Sequence, residues 1–185
     1  MYIYKMGSIQ LITGPMFSGK STELIRLYNR FRIANYECIF IKHQKDTRYS
    51  TNEVYTHGSY QLVDRILSLS WLGELLFYHP IPKVVCIDEG QFFGDINLMS
   101  NHLADNGHIV IIAALDSSFE FKPFENIVSL MMNCEYILKL TSVCMMCFAD
   151  NAIYNKRITN ECELEVIGGS DKYMSICRNC RKLHA

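Results

Sequence analysis

Ile9-Gln10-Leu11-Ile12-Thr13-Gly14-Pro15-Met16-Phe17-Ser18-Gly19-Lys20-Ser21 is the stretch on which the fold turns. Its first five residues read as a short apolar strand, and Gly14 to Ser21 matches the spacing GxxxxGK[ST]. After it, Leu24, Leu27, Tyr28 and Phe31 recur at helical spacing through Lys20 to Ala34, with Glu23, Arg26 and Arg30 on another face. A strand that enters such a loop and a helix that leaves it aim successive backbone N–H groups at phosphate oxygens. Gly14, Pro15, Met16, Phe17, Ser18, Gly19, Lys20 and Ser21 are therefore the candidate nucleotide-binding residues. Lys20 is expected to reach the β- and γ-phosphates, and the Ser21 hydroxyl to ligate Mg²⁺. Pro15 removes a donor and stiffens the loop entrance. The competing reading is a tight turn whose glycines serve only its geometry.

Outward from this loop, short β-rich runs alternate with amphipathic ones. Ile9 to Thr13, Cys38 to Lys42, Val84 to Asp88, Ile109 to Leu115 and Tyr136 to Thr141 are predicted strands. Continuous apolar runs such as Val84-Val85-Cys86-Ile87 suit strands covered on both faces. Gln61 to Phe77 and Asp95 to Asn106 are predicted helices, the second stopping at Gly107. This alternation predicts an α/β fold, a phosphate-loop core with a mostly parallel sheet flanked by helices.

The strand Val84 to Ile87 ends in Asp88-Glu89-Gly90-Gln91. A carboxylate at that strand end, Asp88, is placed to hold Mg²⁺ directly or through water. Glu89 beside it is a candidate base for the proton of an attacking hydroxyl. The plainer alternative is two solvated charges at a strand end. A guanine-reading NKxD motif is not matched, because Asn155-Lys156-Arg157-Ile158 lacks the final Asp.

The pattern changes after Thr141. Cys144-Met145-Met146-Cys147 and Cys177-Arg178-Asn179-Cys180 bracket a segment with polar turns and the alternating run Glu161-Cys162-Glu163-Leu164-Glu165-Val166. Two CxxC pairs supply four thiolates, the donor set of a closed structural Zn²⁺ site. A redox dithiol or two unrelated turns are the other possibilities. The expected division is a core over residues 1–141 and a small β-rich zinc domain over residues 142–185. Roughly 40 residues are too few to be stabilised by burial alone, and a metal site would supply what burial does not.

The 185 residues carry a formal net charge of −1, so no global basic field draws the chain to nucleic acid. The longest clean apolar run, Ile109 to Leu115, is far short of the ~18 residues of a membrane-spanning helix. The expectation is no nucleic-acid and no membrane partner. Of eight cysteines, Cys38 and Cys86 lie inside apolar strand-like runs, which fits free thiols in a reducing, cytoplasmic setting.

As an ordered set, these motifs carry a resemblance. GPMFSGKST at Gly14 to Thr22, KDTRYS at Lys45 to Ser50, DEGQFF at Asp88 to Phe93, ALDSSFEFKPF at Ala114 to Phe124, IGGSDKY at Ile167 to Tyr173 and the four cysteines resemble the zinc-containing thymidine kinases of cytosolic and large-DNA-virus type. The resemblance implies transfer of the ATP γ-phosphate to the 5′-hydroxyl of thymidine, with deoxyuridine plausible, in nucleotide salvage. It implies Glu89 as the base, and Asp46, Arg48 and Gln91 beside the nucleotide and its metal, with Arg48 stabilising transition-state charge. A lasso loop over about Asn155 to Tyr173 would cover the nucleoside. Leu164, Val166, Ile167 and Gly168 would lie against the base and Tyr173 against the sugar. Met16, Phe92, Leu115, Phe119 and Phe124 would wall the pocket. Asn155, also placed at the base, stands where relatives commonly have a small hydroxyl residue. The resemblance further implies a homotetramer and feedback inhibition by dTTP. The chain stops five residues after Cys180, which leads us to expect a viral or microbial source, and host cytoplasm if viral. The reading in competition is a nucleotide-switched zinc-ribbon module that binds nucleic acid.

Overall fold

Residues 6–45, 55–56, 59–60, 63, 65–158 and 172–183 are described in the computed structural model. The apolar runs form strands β1 (Ser8–Thr13), β2 (Cys38–His43), β5 (Ile66–Leu69), β6 (Val84–Ile87), β7 (Ile109–Ala114) and β8 (Tyr136–Lys139). They pair in the order β5-β2-β6-β7-β1-β8, and every pairing in this sheet is parallel. Strands β3 (Tyr55–Thr56) and β4 (Ser59–Tyr60) make a separate antiparallel pair.

The sheet has two apolar faces because its central strands lack a polar one. Every residue of β2, β6 and β7 is buried. Alternate positions sort cleanly. Ile12, Cys38, Phe40, Val84, Cys86, Ile111 and Ala113 pack with Leu24, Ile25 and Tyr28 of α1 (Lys20–Ile33). Ile9, Leu11, Ile39, Ile41, Val85, Ile87, Val110 and Ile112 pack on the other face. There they meet Ile96, Met99 and Leu103 of α2 (Ile96–Asp105), and Ile127 and Leu130 of α3 (Glu125–Met131). The two-residue period of a strand thus builds two cores from one sheet.

The expected helix over Gln61 to Phe77 is not what forms. Within it, Ile66–Leu69 is β5, and Leu72–Phe77 is a 3₁₀ helix. Tertiary pairing outweighs helical spacing: Phe40 to His43 of β2 stand opposite Ile66 to Leu69 in register. The following turn is fixed by carboxylates rather than by a continuing helix. Glu74 Oε1 accepts the N–H groups of Ser70 (3.0 Å) and Trp71 (2.9 Å). Asp95 accepts those of Leu72 (3.2 Å) and Gly73 (2.9 Å). The other expected elements agree within one or two residues, and Gly107 stops α2 with φ 87°.

Past β8 the chain leaves the sheet. Strands β9 (Ser142–Val143) and β10 (Asn151–Ala152) pair antiparallel, as do β11 (Tyr154–Arg157) and β12 (Tyr173–Ile176), and α4 (Arg178–Leu183) follows. Their buried centre is small: Cys144, Ala152, Ile176, Cys177 and Cys180. The alternating acidic run Glu161 to Val166 lies outside the described residues. Among the described residues, no helix is long and apolar enough to cross a membrane.

Phe40 is fully buried, edge-on to Tyr28 at 6.0 Å between ring centroids. Phe40→Ala is expected to cost about 3–5 kcal/mol, seen as a lower denaturant midpoint at unchanged slope. An unshifted midpoint would contradict this packing.

Candidate active site

Every strand of the six-stranded sheet points the same way, so the carboxyl ends of β1, β2, β6 and β7 share one edge, where open α/β sheets place their ligands. Gly14 leaves β1 with φ 141°, and a Cβ on it would stand 2.4 Å from the Leu140 carbonyl oxygen. No other residue fits so close to that backbone. Phe17 takes φ 61°, an uncommon left-handed conformation for a side-chain-bearing residue. Gly19, at φ 83°, opens α1, and its carbonyl accepts the Glu23 N–H at 2.9 Å. Inside the loop, the Pro15 carbonyl accepts Ser18 Oγ at 2.8 Å and Lys20 Nζ at 2.7 Å. The lysine ammonium thus lies inside the loop, where a phosphate would compete with the Pro15 carbonyl for it.

Next to α1, Ser21 Oγ donates to Asp88 Oδ1 at 3.0 Å. Residues 67 positions apart are joined because β1 and β6 end on the same edge. Asp88 is buried at 5% exposure, and its Oδ1 also accepts the Glu89 N–H at 3.0 Å. A hydroxyl and a carboxylate are hard oxygen donors of the kind Mg²⁺ takes together with nucleotide phosphates, so the pair fits that ion.

Glu89 sits at φ 53°, a left-handed backbone that turns it away from the strand. Gly90 follows, and a Cβ there would lie 2.6 Å from Ile112 Cγ2, so the turn needs glycine. Gln91 then bridges. Its Nε2 donates to Glu89 Oε2 at 2.5 Å, and its Oε1 accepts the Leu115 N–H at 3.0 Å. The Gln91 amide thereby ties the carboxylate to the backbone after β7. Asn126 Nδ2 in turn donates to the Gln91 and Phe93 carbonyls at 3.0 and 3.2 Å.

A group of aromatic residues lies beyond this edge. Phe92 is half-buried and 5.8 Å from the His43 ring. Phe124 packs against the core beneath α3. Phe119 and Tyr173 stand 6.4 Å apart, and the Arg157 guanidinium lies 3.8 Å from the Phe119 centroid while donating to the Tyr173 hydroxyl at 2.8 Å. Arg157 escaped the sequence reading, as did Asn126 and Ser175. Nothing in their spacing marks them, because each acts across long sequence separations. Asn155 is 2% exposed: its Oδ1 accepts the Met16 N–H at 2.7 Å and its Nδ2 donates to the Ser117 carbonyl at 3.0 Å. Both ends of its amide thus serve the protein backbone. Asp46, Arg48, Leu164, Val166, Ile167 and Gly168 lie outside the described residues.

The four cysteines converge. The sulfurs of Cys144, Cys147, Cys177 and Cys180 all lie within 4.8 Å of one another, and those of Cys147 and Cys177 are 3.9 Å apart. Burial pushes the Cys144 thiol up, but N–H groups of Cys147, Cys177 and Met146 outweigh it and bring the pKa to about 6. Burial and the neighbouring sulfurs push Cys180 up to about 12. Four sulfurs this close are a donor set that a cation can hold as thiolates, and the all-sulfur set within 4.8 Å fits Zn²⁺.

A family model described as Thymidine kinase matches residues 7–181. The chain is 48% identical over 176 residues to the thymidine kinase of Yaba monkey tumor virus (strain VR587), covering 95% of each chain. It is 47% identical over 185 residues to that of Sheeppox virus (strain KS-1), covering 94% of this chain and 96% of the other. Against the thymidine kinase of Vaccinia virus (strain Western Reserve) it is 48% identical over 174 residues, at 94% and 96% coverage.

One zinc per chain is expected by metal analysis. Chelation should open residues 142–185 to protease while the sheet stays resistant, since the small sulfur-centred core has little else to hold it. Unchanged resistance after complete metal loss would contradict this.

Proposed function

The chain belongs to the thymidine kinase family, and we propose that it uses the edge of its sheet to move the γ-phosphoryl group of ATP onto the 5′-hydroxyl of thymidine, with deoxyuridine also accepted. The observation that carries this reading is the junction of Ser21, Asp88 and Glu89, where a metal-type oxygen pair stands next in sequence to a carboxylate held by Gln91.

The loop Gly14 to Ser21 holds the triphosphate, with Lys20 moving from the Pro15 carbonyl to the phosphates. Ser21 and Asp88 would hold Mg²⁺, which would supply Lewis-acid charge for the phosphate oxygens. Glu89 accepts the 5′-hydroxyl proton as that oxygen bonds to the γ-phosphorus. The bond from phosphorus to the β–γ bridging oxygen breaks, and ADP departs with its electron pair. Gln91 keeps the Glu89 carboxylate aimed and also lines the nucleotide side. Arg48 and Asp46 complete the phosphate surroundings, Arg48 meeting charge spread over the equatorial oxygens.

Thymidine occupies the aromatic region beside this edge. Met16, Phe92, Leu115, Phe119 and Phe124 wall it, Leu164, Val166, Ile167 and Gly168 close over the base, Asn155 stands near the base, and Tyr173 meets the sugar. The contact of Arg157 with both Phe119 and Tyr173 supports a preformed aromatic wall. The zinc segment, residues 142–185, is a structural unit appended to the core of residues 1–141. The family resemblance supports a homotetramer, inhibition by dTTP and a cytoplasmic location. Cys38 and Cys86, buried within β2 and β6 as small apolar residues, suit a reducing compartment.

The test is thymidine-dependent ADP release with Mg²⁺. Glu89→Gln is expected to lower kcat by about 10²–10⁴ while leaving ATP affinity nearly intact. Gln91→Leu, which frees the carboxylate from its tie, should lower kcat by about tenfold or more with smaller effect on ATP KM. Wild-type turnover in Glu89→Gln would remove that carboxylate from the chemistry.

A further inference from the structure

Met16 has both of its peptide polar groups held from outside the phosphate loop. Its N–H donates to Asn155 Oδ1 at 2.7 Å, and its carbonyl accepts Ser175 Oγ at 2.6 Å. These partners lie 139 and 159 positions away in sequence, yet they are direct register neighbours on β11 and β12. Both are shut off from solvent, Asn155 at 2% and Ser175 at 0% exposure. At the other end of the amide, Asn155 Nδ2 donates to the Ser117 carbonyl, in the chain just after β7. One buried pair therefore fastens the phosphate loop, the β7 exit and the β11–β12 ladder together.

We propose that Asn155 and Ser175 are positioning residues for phosphoryl transfer, a two-point clamp that fixes the phosphate loop through the Met16 peptide. The proposal rests on the kinase reading above.

The clamp matters because part of what holds the loop is temporary. Its backbone bends through left-handed or otherwise glycine-favouring angles at Gly14, Phe17 and Gly19, so no regular ladder holds it. The internal bonds described within it are those of Ser18 Oγ and Lys20 Nζ to the Pro15 carbonyl. Lys20 must abandon that carbonyl to meet a phosphate. The clamp on Met16 does not depend on Lys20 and persists through binding. It also commits the Met16 N–H, which leaves later amides of the loop to face the nucleotide. Removing either partner takes a hydrogen bond from the half-buried Met16 peptide, and the loop relaxes to recover one. Such a shift at a phosphate cradle costs affinity and alignment together.

Ser175 runs directly toward Cys177, and its carbonyl accepts the Met145 N–H at 2.8 Å, between the first two cysteines. The clamp is thus built on the same strands and turns that present the four sulfurs.

The experiment combines amide hydrogen exchange with kinetics on the full chain. In nucleotide-free wild type, the Met16 amide should exchange at least tenfold more slowly than an exposed loop amide. Ser175→Ala and Asn155→Ala should each speed Met16 exchange and raise the ATP KM about tenfold, with kcat also reduced and zinc content unchanged. Because both act through one peptide, the double variant should lose less than the product of the two single effects. Unprotected Met16 in wild type would overturn the proposal. So would faster Met16 exchange in both variants with ATP KM and kcat unchanged. If one substitution disturbs folding or zinc content, the other and the wild-type exchange decide. Failure of the kinase reading itself shows separately, as wild type without thymidine-dependent ADP release.

Discussion

A parallel sheet brings the carboxyl ends of all its strands to one edge, and the chemistry of this protein depends on that geometry. β1 delivers the phosphate loop, β6 delivers Asp88 and Glu89, and β7 delivers Leu115 and Ser117; Ser21 bonds Asp88, Gln91 bonds Leu115, and Asn155 bonds both Met16 and Ser117. Parallel strands require covered faces, and the buried alternation of β2, β6 and β7 meets that demand on both sides. Burial therefore sets the strand directions, and the directions set the site. The Ser21 to Asp88 contact at 3.0 Å is the shortest statement of this, since neither residue has a local reason to meet the other.

A second constraint comes from the small C-terminal segment. Its buried centre holds three cysteines, one alanine and one isoleucine, too little apolar surface to order strands on its own. A metal ion held by the four cysteines would supply the missing stabilisation. The segment then reaches back to the phosphate loop through Asn155 and Ser175, and to the β7 exit through Asn155 and Arg157. These contacts run to the loops at the carboxyl edge of the sheet.

Much of this was legible in the sequence, for identifiable reasons. The phosphate loop is local: Gly14 and Gly19 are needed at positive φ, and the flanking strand and helix carry clear periods. The four cysteines are legible because thiolate spacing reflects the metal more than the fold. The segment from Gln61 to Phe77 misleads, because Ile66, Leu69 and Leu72 suit either a helix or a buried strand, and the deciding partner is β2. Gln91 was assigned to the nucleotide by resemblance alone, whereas its bridge from Glu89 to Leu115 is visible only in three dimensions. Asn155 shows the same limit. The resemblance placed it at the base, but nothing in its neighbours foretold that both ends of its amide meet backbone at Met16 and Ser117.

The central claim is that the edge formed by Gly14 to Ser21, Asp88 and Glu89 transfers phosphate to a nucleoside. The most direct measurement supplies γ-labelled ATP and Mg²⁺ with each common deoxynucleoside in turn, and follows the label. Label is expected at the 5′ position of thymidine, abolished by Lys20→Ala. Label that stays in ATP or appears only as inorganic phosphate with every nucleoside, in protein with intact zinc, would contradict it.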